Sequence, residues 1–174
     1  MISEEDIMAE YLVRIFENVL LTEEKSLSQG YFSDLSIAEM HTLTAIGPYE
    51  AKTMSNTAAE LGITTGTLTV SIDRLVKKGY VIRKRDEKDK RVVRISLTRN
   101  GKLACRMHSK FHRVLAKRIL DPYEADDRSK LIKLVEEIDT YIATQLRRYD
   151  ESDSIRKTAK EVALESRRSV EKNG

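Results

Sequence analysis

The sequence predicts a mainly α fold, a winged helix-turn-helix with a two-stranded β-hairpin wing set among long helices. Three observations carry the prediction. Two short helical segments meet at Gly62 in mid-chain. Directly after them the period changes to two β-rich runs around a fully charged stretch, and long amphipathic segments stand on both sides. A lone hairpin does not hold itself together in water, so this one has to lean on the helices, as a wing does.

Residues 4–28 read as the first helix, with Tyr11, Leu12, Ile15, Phe16, Val19 and Leu20 at helical spacing. The second starts at Ser36, where Ser36-Ile37-Ala38-Glu39 has the form of a capping box, and stops near Gly47-Pro48. Thr53 caps a short helix through Leu61, which Gly62 breaks; Thr64 caps the next, Thr65 to Lys78, which stops at Gly79. Tyr80 to Arg85 and Val92 to Leu97 are strand-like, and Asp86-Glu87-Lys88-Asp89-Lys90-Arg91 between them is a charged hairpin tip. Thr98 caps a long helix through about Leu120, which Asp121-Pro122 interrupts. A last strong helix runs from about Tyr123 to Tyr149, with Leu131, Val135, Ile138, Ile142 and Leu146 on one stripe.

Composition narrows the class. Only two prolines and seven glycines interrupt 174 residues, of which 40% are hydrophobic, so a helical protein with a real core is expected. No apolar run approaches the roughly 18 residues of a membrane span. The acidic start, Met1-Ile2-Ser3-Glu4-Glu5-Asp6, does not have the charge of a secretory signal. The single Cys105 excludes an intrachain disulfide and suits a reducing compartment. A cytoplasmic protein without a membrane partner is therefore expected. There is no Gly-rich phosphate loop and no Ser/His/Asp arrangement, and Asp126-Asp127 and Glu136-Glu137 fall on solvated helix faces, so the sequence points away from an enzyme. Charge is segregated: residues 1–52 carry a net −7, 53–98 +5, 99–120 +7 and 121–174 −2. A basic middle between acidic ends predicts that the middle meets a polyanion.

On a helical wheel of Thr65 to Lys78, Leu68, Ile72, Leu75 and Val76 point inward. The outward side carries Gly66, Thr67, Val70, Asp73, Arg74 and Lys77, with Thr69 at its edge. Thr64, Thr65, Thr67 and Thr69 make the leading face threonine-rich. Their hydroxyls can bond bases or phosphates and their methyls can pack on thymine, or they are simply caps and surface. The basic hairpin that follows favours the DNA reading: Arg83, Lys84, Arg85, Lys88, Lys90 and Arg91 suit a narrow, negative minor groove. In that reading Asp89 orients Arg91 and the other acids limit non-specific binding. A structural protein that binds any duplex is the alternative of another class.

Asp89-Lys90-Arg91, then Leu97-Thr98 with Gly101 after it, resembles the wing signature of the MarR family, over roughly residues 5–150. The resemblance implies a two-fold dimer that binds a pseudo-palindromic double-stranded operator as a transcriptional regulator. Residues 1–150 then form one winged helix-turn-helix domain. Its DNA-reading part is about 53–98, and the helices about 4–28 and 99–150 make a helical dimerisation body. Residues 151–174 form a charged C-terminal tail with a weak helical pattern (Ile155, Ala159, Val162). The DNA-binding set it implies is Thr64, Thr65, Thr67, Thr69, Val70, Arg74, Lys88, Asp89 and Arg91, with Arg91 as the minor-groove arginine.

Two further features concern what such a regulator senses. Arg99, Lys102, Arg106, Lys110, Arg113 and Lys117 fall within about an 80° stripe with no acid among them, beside Leu103, Met107, Phe111, Val114 and Leu115. This rail serves an acidic partner, the acidic first helix of a second subunit, or the DNA-facing field. The stretches Tyr11-Leu12…Ile15-Phe16…Asn18-Val19-Leu20…Glu23-Glu24, Ser36-Ile37…Glu39-Met40-His41-Thr42 and Arg106…His108…Phe111-His112 resemble the FabT branch of the family. That resemblance implies repression of fatty-acid-biosynthesis genes with long-chain acyl-acyl carrier protein as corepressor. The carrier would sit on the rail and the acyl chain among Phe16, Met40, Leu43, Met107 and Phe111. No resident cofactor is expected. The alternative effector is zinc. Cys105, His108 and His112 share a helix face, His41 lies on the second helix and Glu24 ends the first. Zinc-sensing MarR-type regulators resemble this in their histidines, and structural histidines remain the plainer reading.

Overall fold

A computed structural model describes residues 2–151, of which residues 149–151 are described by backbone alone. The tail predicted for 151–174 therefore lies outside the described residues, save for Glu151 at the end of the last helix. The order is α1 (Glu4–Ser28), α2 (Ile37–Ile46), β1 (Lys52–Thr53), α3 (Met54–Glu60), α4 (Thr65–Lys77), β2 (Val81–Arg85), β3 (Val93–Leu97), α5 (Arg99–Leu120) and α6 (Ala125–Glu151). The chain divides into two compact units, Met1–Leu115 and Ala116–Gly174. Among the described residues, no helix is long and apolar enough to cross a membrane.

Side-chain caps set most of the boundaries. Ser3 accepts from the Asp6 N–H while the Asp6 carboxylate accepts from the Ser3 N–H, a capping box that starts α1. Ser36 and Glu39 repeat it at α2. Thr53 and Thr64 cap α3 and α4 by accepting from the N–H groups of Asn56 and Thr67. Thr98 does the same for α5 through the Gly101 N–H at 3.1 Å. The turns that follow α3 and α4 need a left-handed residue, which Gly62 (φ 63°) and Gly79 (φ 79°) supply.

The core of the first unit lies where α4 meets α2. Leu68, Ile72 and Leu75 are sealed against Met40, Leu43 and Ile46, with Ile95 and Leu97 of β3 and Ala104 of α5 closing the cluster. Val76 is 40% exposed, which corrects its inward placement. The buried row steps from Leu68 to Ile72 to Leu75, and Val76 stands about 100° off the last of these.

The expected two-stranded hairpin is present as β2 and β3, and β1 adds a third strand to it in the order β1-β3-β2. Val81 to Arg85 pairs antiparallel with Leu97 to Val93, and Lys52 and Thr53 pair with Ile95 and Arg94 on the other side of β3. β1 has two residues, too few for an alternating pattern, so periodicity could not reveal it. Lys52 is fixed by its ammonium, which donates to the Ala45 carbonyl at 2.5 Å and to Glu60 at 2.6 Å. In the second unit α6 starts at Ala125, two residues later than expected. Tyr123 remains in the preceding turn, its N–H on the Leu120 carbonyl and its own carbonyl accepting from Arg128.

Of the described glycines, Gly101 has the least room for a side chain. A Cβ there would collide with the Tyr80 carbonyl oxygen and stand 3.2 Å from Leu97 Cβ. Gly101→Ala should therefore lose about 1–3 kcal/mol of stability through overpacking, read as a lower urea midpoint. Gly66→Ala, whose Cβ would meet only Thr64 Oγ1 at 3.7 Å, should be neutral or stabilising in the same assay.

Candidate functional site

The first candidate surface is the outer face of α4 with the wing. Thr64, Thr65, Thr67, Val70 and Arg74 are exposed, and Thr69 is half-buried. Three of the hydroxyls have intramolecular partners: Thr64 caps the helix and bonds the Thr67 hydroxyl at 2.9 Å, and Thr69 donates to the Thr65 carbonyl at 2.7 Å. Val70, 53% exposed in mid-helix, turns its methyls outward. Arg83 of β2 reaches Asp73 of α4 at 2.8 Å and ties the wing to the helix.

Asp86, not Asp89, organises the wing tip. Its carboxylate accepts from the N–H groups of Lys88 at 2.8 Å and Asp89 at 3.1 Å and from the Arg94 guanidinium. Arg94 and then the two backbone donors pull the Asp86 carboxyl down to about 2. Asp89 accepts from the backbone N–H of Arg91 at 2.9 Å. The expectation that Asp89 orients Arg91 thus holds for its main chain, through an Asx turn, and no ion pair joins the two side chains among the described contacts. Lys88 and Arg91 stand exposed at the tip.

The second candidate site is a cavity of about 310 Å³ between α1, α2 and α5. Met40, Met107 and Phe111 line it as expected, together with Leu27, Phe32 and Val114. Two expected residues lie elsewhere. Leu43 is fully buried in the α2–α4 core, and Phe16 is 66% exposed on α1 and does not reach the cavity. Arg99, Lys102, Arg106, Lys110 and Arg113 are all exposed, and Lys110 also borders the cavity. In the second unit Lys117 pairs at 2.6 Å with Asp121, an acid just beyond the stripe.

Polar groups converge on one wall of the cavity. Glu23, 4% exposed, has its Oε1 3.1 Å from His41 Nε2, 3.1 Å from His108 Nε2 and 3.5 Å from His112 Nε2. His108 and His112 bring their Nε2 atoms to 3.1 Å of each other. Burial holds the His108 imidazole below its ordinary value against the pull of Glu23, and His112 and His41 add to the depression. The acid of this cluster is Glu23 rather than Glu24. Glu23 stands one turn before Leu27, which packs on the core and also lines the cavity, and that i, i+4 relation is the signal that could have found it. Cys105 is not part of the cluster. It is buried in the core, and burial pushes its thiol up to about 11 despite a hydrogen bond with Thr44.

The fold and the outward-facing α4 beside a braced basic wing define a winged helix-turn-helix protein. Residues 35–93 match the family model described as MarR family. The FabT of Streptococcus pneumoniae, solved in complex with DNA, is 37% identical with a TM-score of 0.76, over 81% of this chain and 99% of that one. The apo MarR of E. coli is 28% identical with a TM-score of 0.54, over 73% and 96%. The Staphylococcus aureus transcriptional regulator SarZ (strain USA300) is 39% identical over 69 residues, 40% of this chain. The chain spans about half the length of such curated relatives, 47% for SarZ. The chain belongs to the MarR family. These relatives carry the names of regulators, not of enzymes.

An inward thiol held near 11 leaves almost no thiolate at neutral pH. Cys105 should resist N-ethylmaleimide at pH 7 in the folded chain and react fully in guanidinium, as mass spectrometry would record.

Proposed function

We propose that this protein is a dimeric, sequence-specific DNA-binding transcriptional regulator that represses fatty-acid-biosynthesis genes, with long-chain acyl-acyl carrier protein as corepressor. The observation that carries the DNA-binding part is the joint geometry of α4 and the wing. Thr65, Thr67, Val70 and Arg74 face outward on a helix whose other side is buried, and at the tip Asp86 holds the Lys88 N–H and Asp89 the Arg91 N–H, with both basic side chains exposed. Such a pair suits a major groove and the adjacent minor groove. The solved complex of pneumococcal FabT with DNA supports this reading. Dimerisation is supported by apolar side chains left open on the single chain, Tyr11, Ile15 and Phe16 on α1 and Val135, Ile142 and Leu146 on α6.

Arg91→Ala should weaken operator binding by about tenfold or more, in fluorescence anisotropy with a palindromic duplex from a fatty-acid-synthesis promoter. Lys88→Ala should instead lower the slope of log K against log salt by about one. A wild-type chain that binds operator and random duplex alike would be a sequence-tolerant structural protein, since a regulator prefers its operator by roughly 10³ or more.

The acyl effector is supported by the likeness to FabT, by the apolar cavity and by the exposed cations of α5, which suit an acidic carrier. Palmitoyl-acyl carrier protein should tighten operator binding by about tenfold, within the usual range of allosteric coupling, and the unacylated carrier should not.

One observation favours a second reading, zinc as effector. Tetrahedral zinc with ligands at about 2.0–2.1 Å sets its donor atoms roughly 3.3 Å apart. Glu23 Oε1 stands 3.1 Å from both His41 Nε2 and His108 Nε2, and these three residues form a group whose ligand atoms lie close enough together to share such an ion. In this reading zinc alone tightens operator binding, and His108→Ala abolishes both zinc uptake, measured by chelator competition, and the response. Tightening by the acylated carrier alone would leave the cluster as a structural network around a buried carboxylate.

A further inference from the structure

The segment between α1 and α2 touches both the cavity and the end of α4. Gly30, Tyr31 and Phe32 line the cavity. Phe32 is buried, with the Tyr31 ring on one side at 5.1 Å and the Tyr80 ring on another at 6.1 Å, both edge-on. Two residues later, Asp34 accepts a 2.8 Å hydrogen bond from the Tyr80 hydroxyl, and its carbonyl accepts from the Lys78 ammonium. Lys78 also donates at 2.7 Å to Glu39, whose carboxylate caps α2 through the Ser36 N–H.

Tyr80 in turn is fastened to everything that carries the reading surface. Its N–H closes on the Leu75 carbonyl of α4, it precedes β2 directly, and its carbonyl accepts from the Thr98 N–H ahead of α5. Gly101 leaves the space for that carbonyl. A displacement of Phe32 therefore bears on Tyr80, whose ring stands edge-on to it.

We propose that the Tyr31–Leu35 segment transmits occupancy of the cavity to α4, with the Tyr80–Asp34 hydrogen bond as the coupling and Phe32 as the part an occupant moves. Tyr80 and Asp34 are positioning residues, since neither lines the cavity nor belongs to the outward face of α4. The ligand side rests on the effector reading above; the coupling itself does not. An occupant acts only by favouring one spacing of Phe32 and Tyr80 over another, and the hydrogen bond makes Asp34, Tyr80 and the end of α4 move as one body.

Two substitutions break the bond, Tyr80→Phe with almost no change of volume and Asp34→Ala by removing the acceptor. Each should keep its melting temperature near that of the wild type and bind labelled palmitoyl-acyl carrier protein as the wild type does. Operator affinity without the carrier should be unchanged, and tightening by the carrier should fall from about tenfold to under about twofold. Full tightening in both variants would overturn the proposal.

A second arm needs no effector. Met107→Trp places a bulky ring in the cavity, and amide exchange along Thr65–Lys77 is followed in the full chain with and without Tyr80→Phe. A change in protection that vanishes with Tyr80→Phe supports the coupling. The same change in both backgrounds, or none in either, overturns it. If palmitoyl-acyl carrier protein does not bind the wild-type chain, the effector reading fails and the Met107→Trp pair alone decides the coupling.

Discussion

The first unit depends on the burial of one row of α4, Leu68, Ile72 and Leu75, each at 0% exposure. Each such side chain contributes roughly 1.5–3 kcal/mol by leaving water, so the row outweighs any exposed contact on the helix. It also fixes rotation. A helix sealed on one side can present only the other, and Thr65, Thr67, Val70 and Arg74 face outward because Leu68, Ile72 and Leu75 do not. The same row anchors the sheet, because Ile95 and Leu97 pack into the cluster it forms.

A second constraint runs against the first. Glu23 puts a carboxylate where an apolar side chain would cost nothing, at 4% exposure beside Leu27 and Phe32. Three imidazoles from two other helices meet that carboxylate, so polar contacts join the packing of Leu27 on the core in holding α1 to α2 and α5. Most of the apolar residues of α1 are left open. Polar contacts between helices are directional, and they make the cavity beside them a place of defined shape. The same geometry puts a carboxylate and an imidazole on one wall of the cavity and the Phe32 ring on another.

Much of the fold was legible because capping residues and glycines are local signals. Ser36 with Glu39, Thr53, Thr64 and Thr98 each announced a helix start, and Gly62 and Gly79 each announced a stop. What was hidden depends on partners far along the chain. β1 exists only because β3 lies beside it, and Val76 is exposed because no neighbour covers its side of α4. At the wing tip the charge run gave the residue types, but the choice of Asp86 over Asp89 as organiser depends on Arg94, eight residues away across the hairpin. In the cavity Met40, Met107 and Phe111 came with the family resemblance, at apolar positions of helical spacing. Phe16 shares that spacing but sits too early on α1, and Leu43, one turn beyond Met40, is fully buried in the core instead of lining the cavity.

The three-stranded sheet also governs how copies of this chain behave when crowded together. A strand at the rim of a sheet is a template on which another chain can add itself, the usual route to aggregation. Of the two rim strands here, β1 is only two residues long and offers little to pair with. The other, β2, carries Arg83, Lys84 and Arg85 in succession, so a second copy docking there would bring like charges face to face. The surface that draws in a polyanion thus keeps sister molecules apart, and one set of cations serves both attraction and solubility.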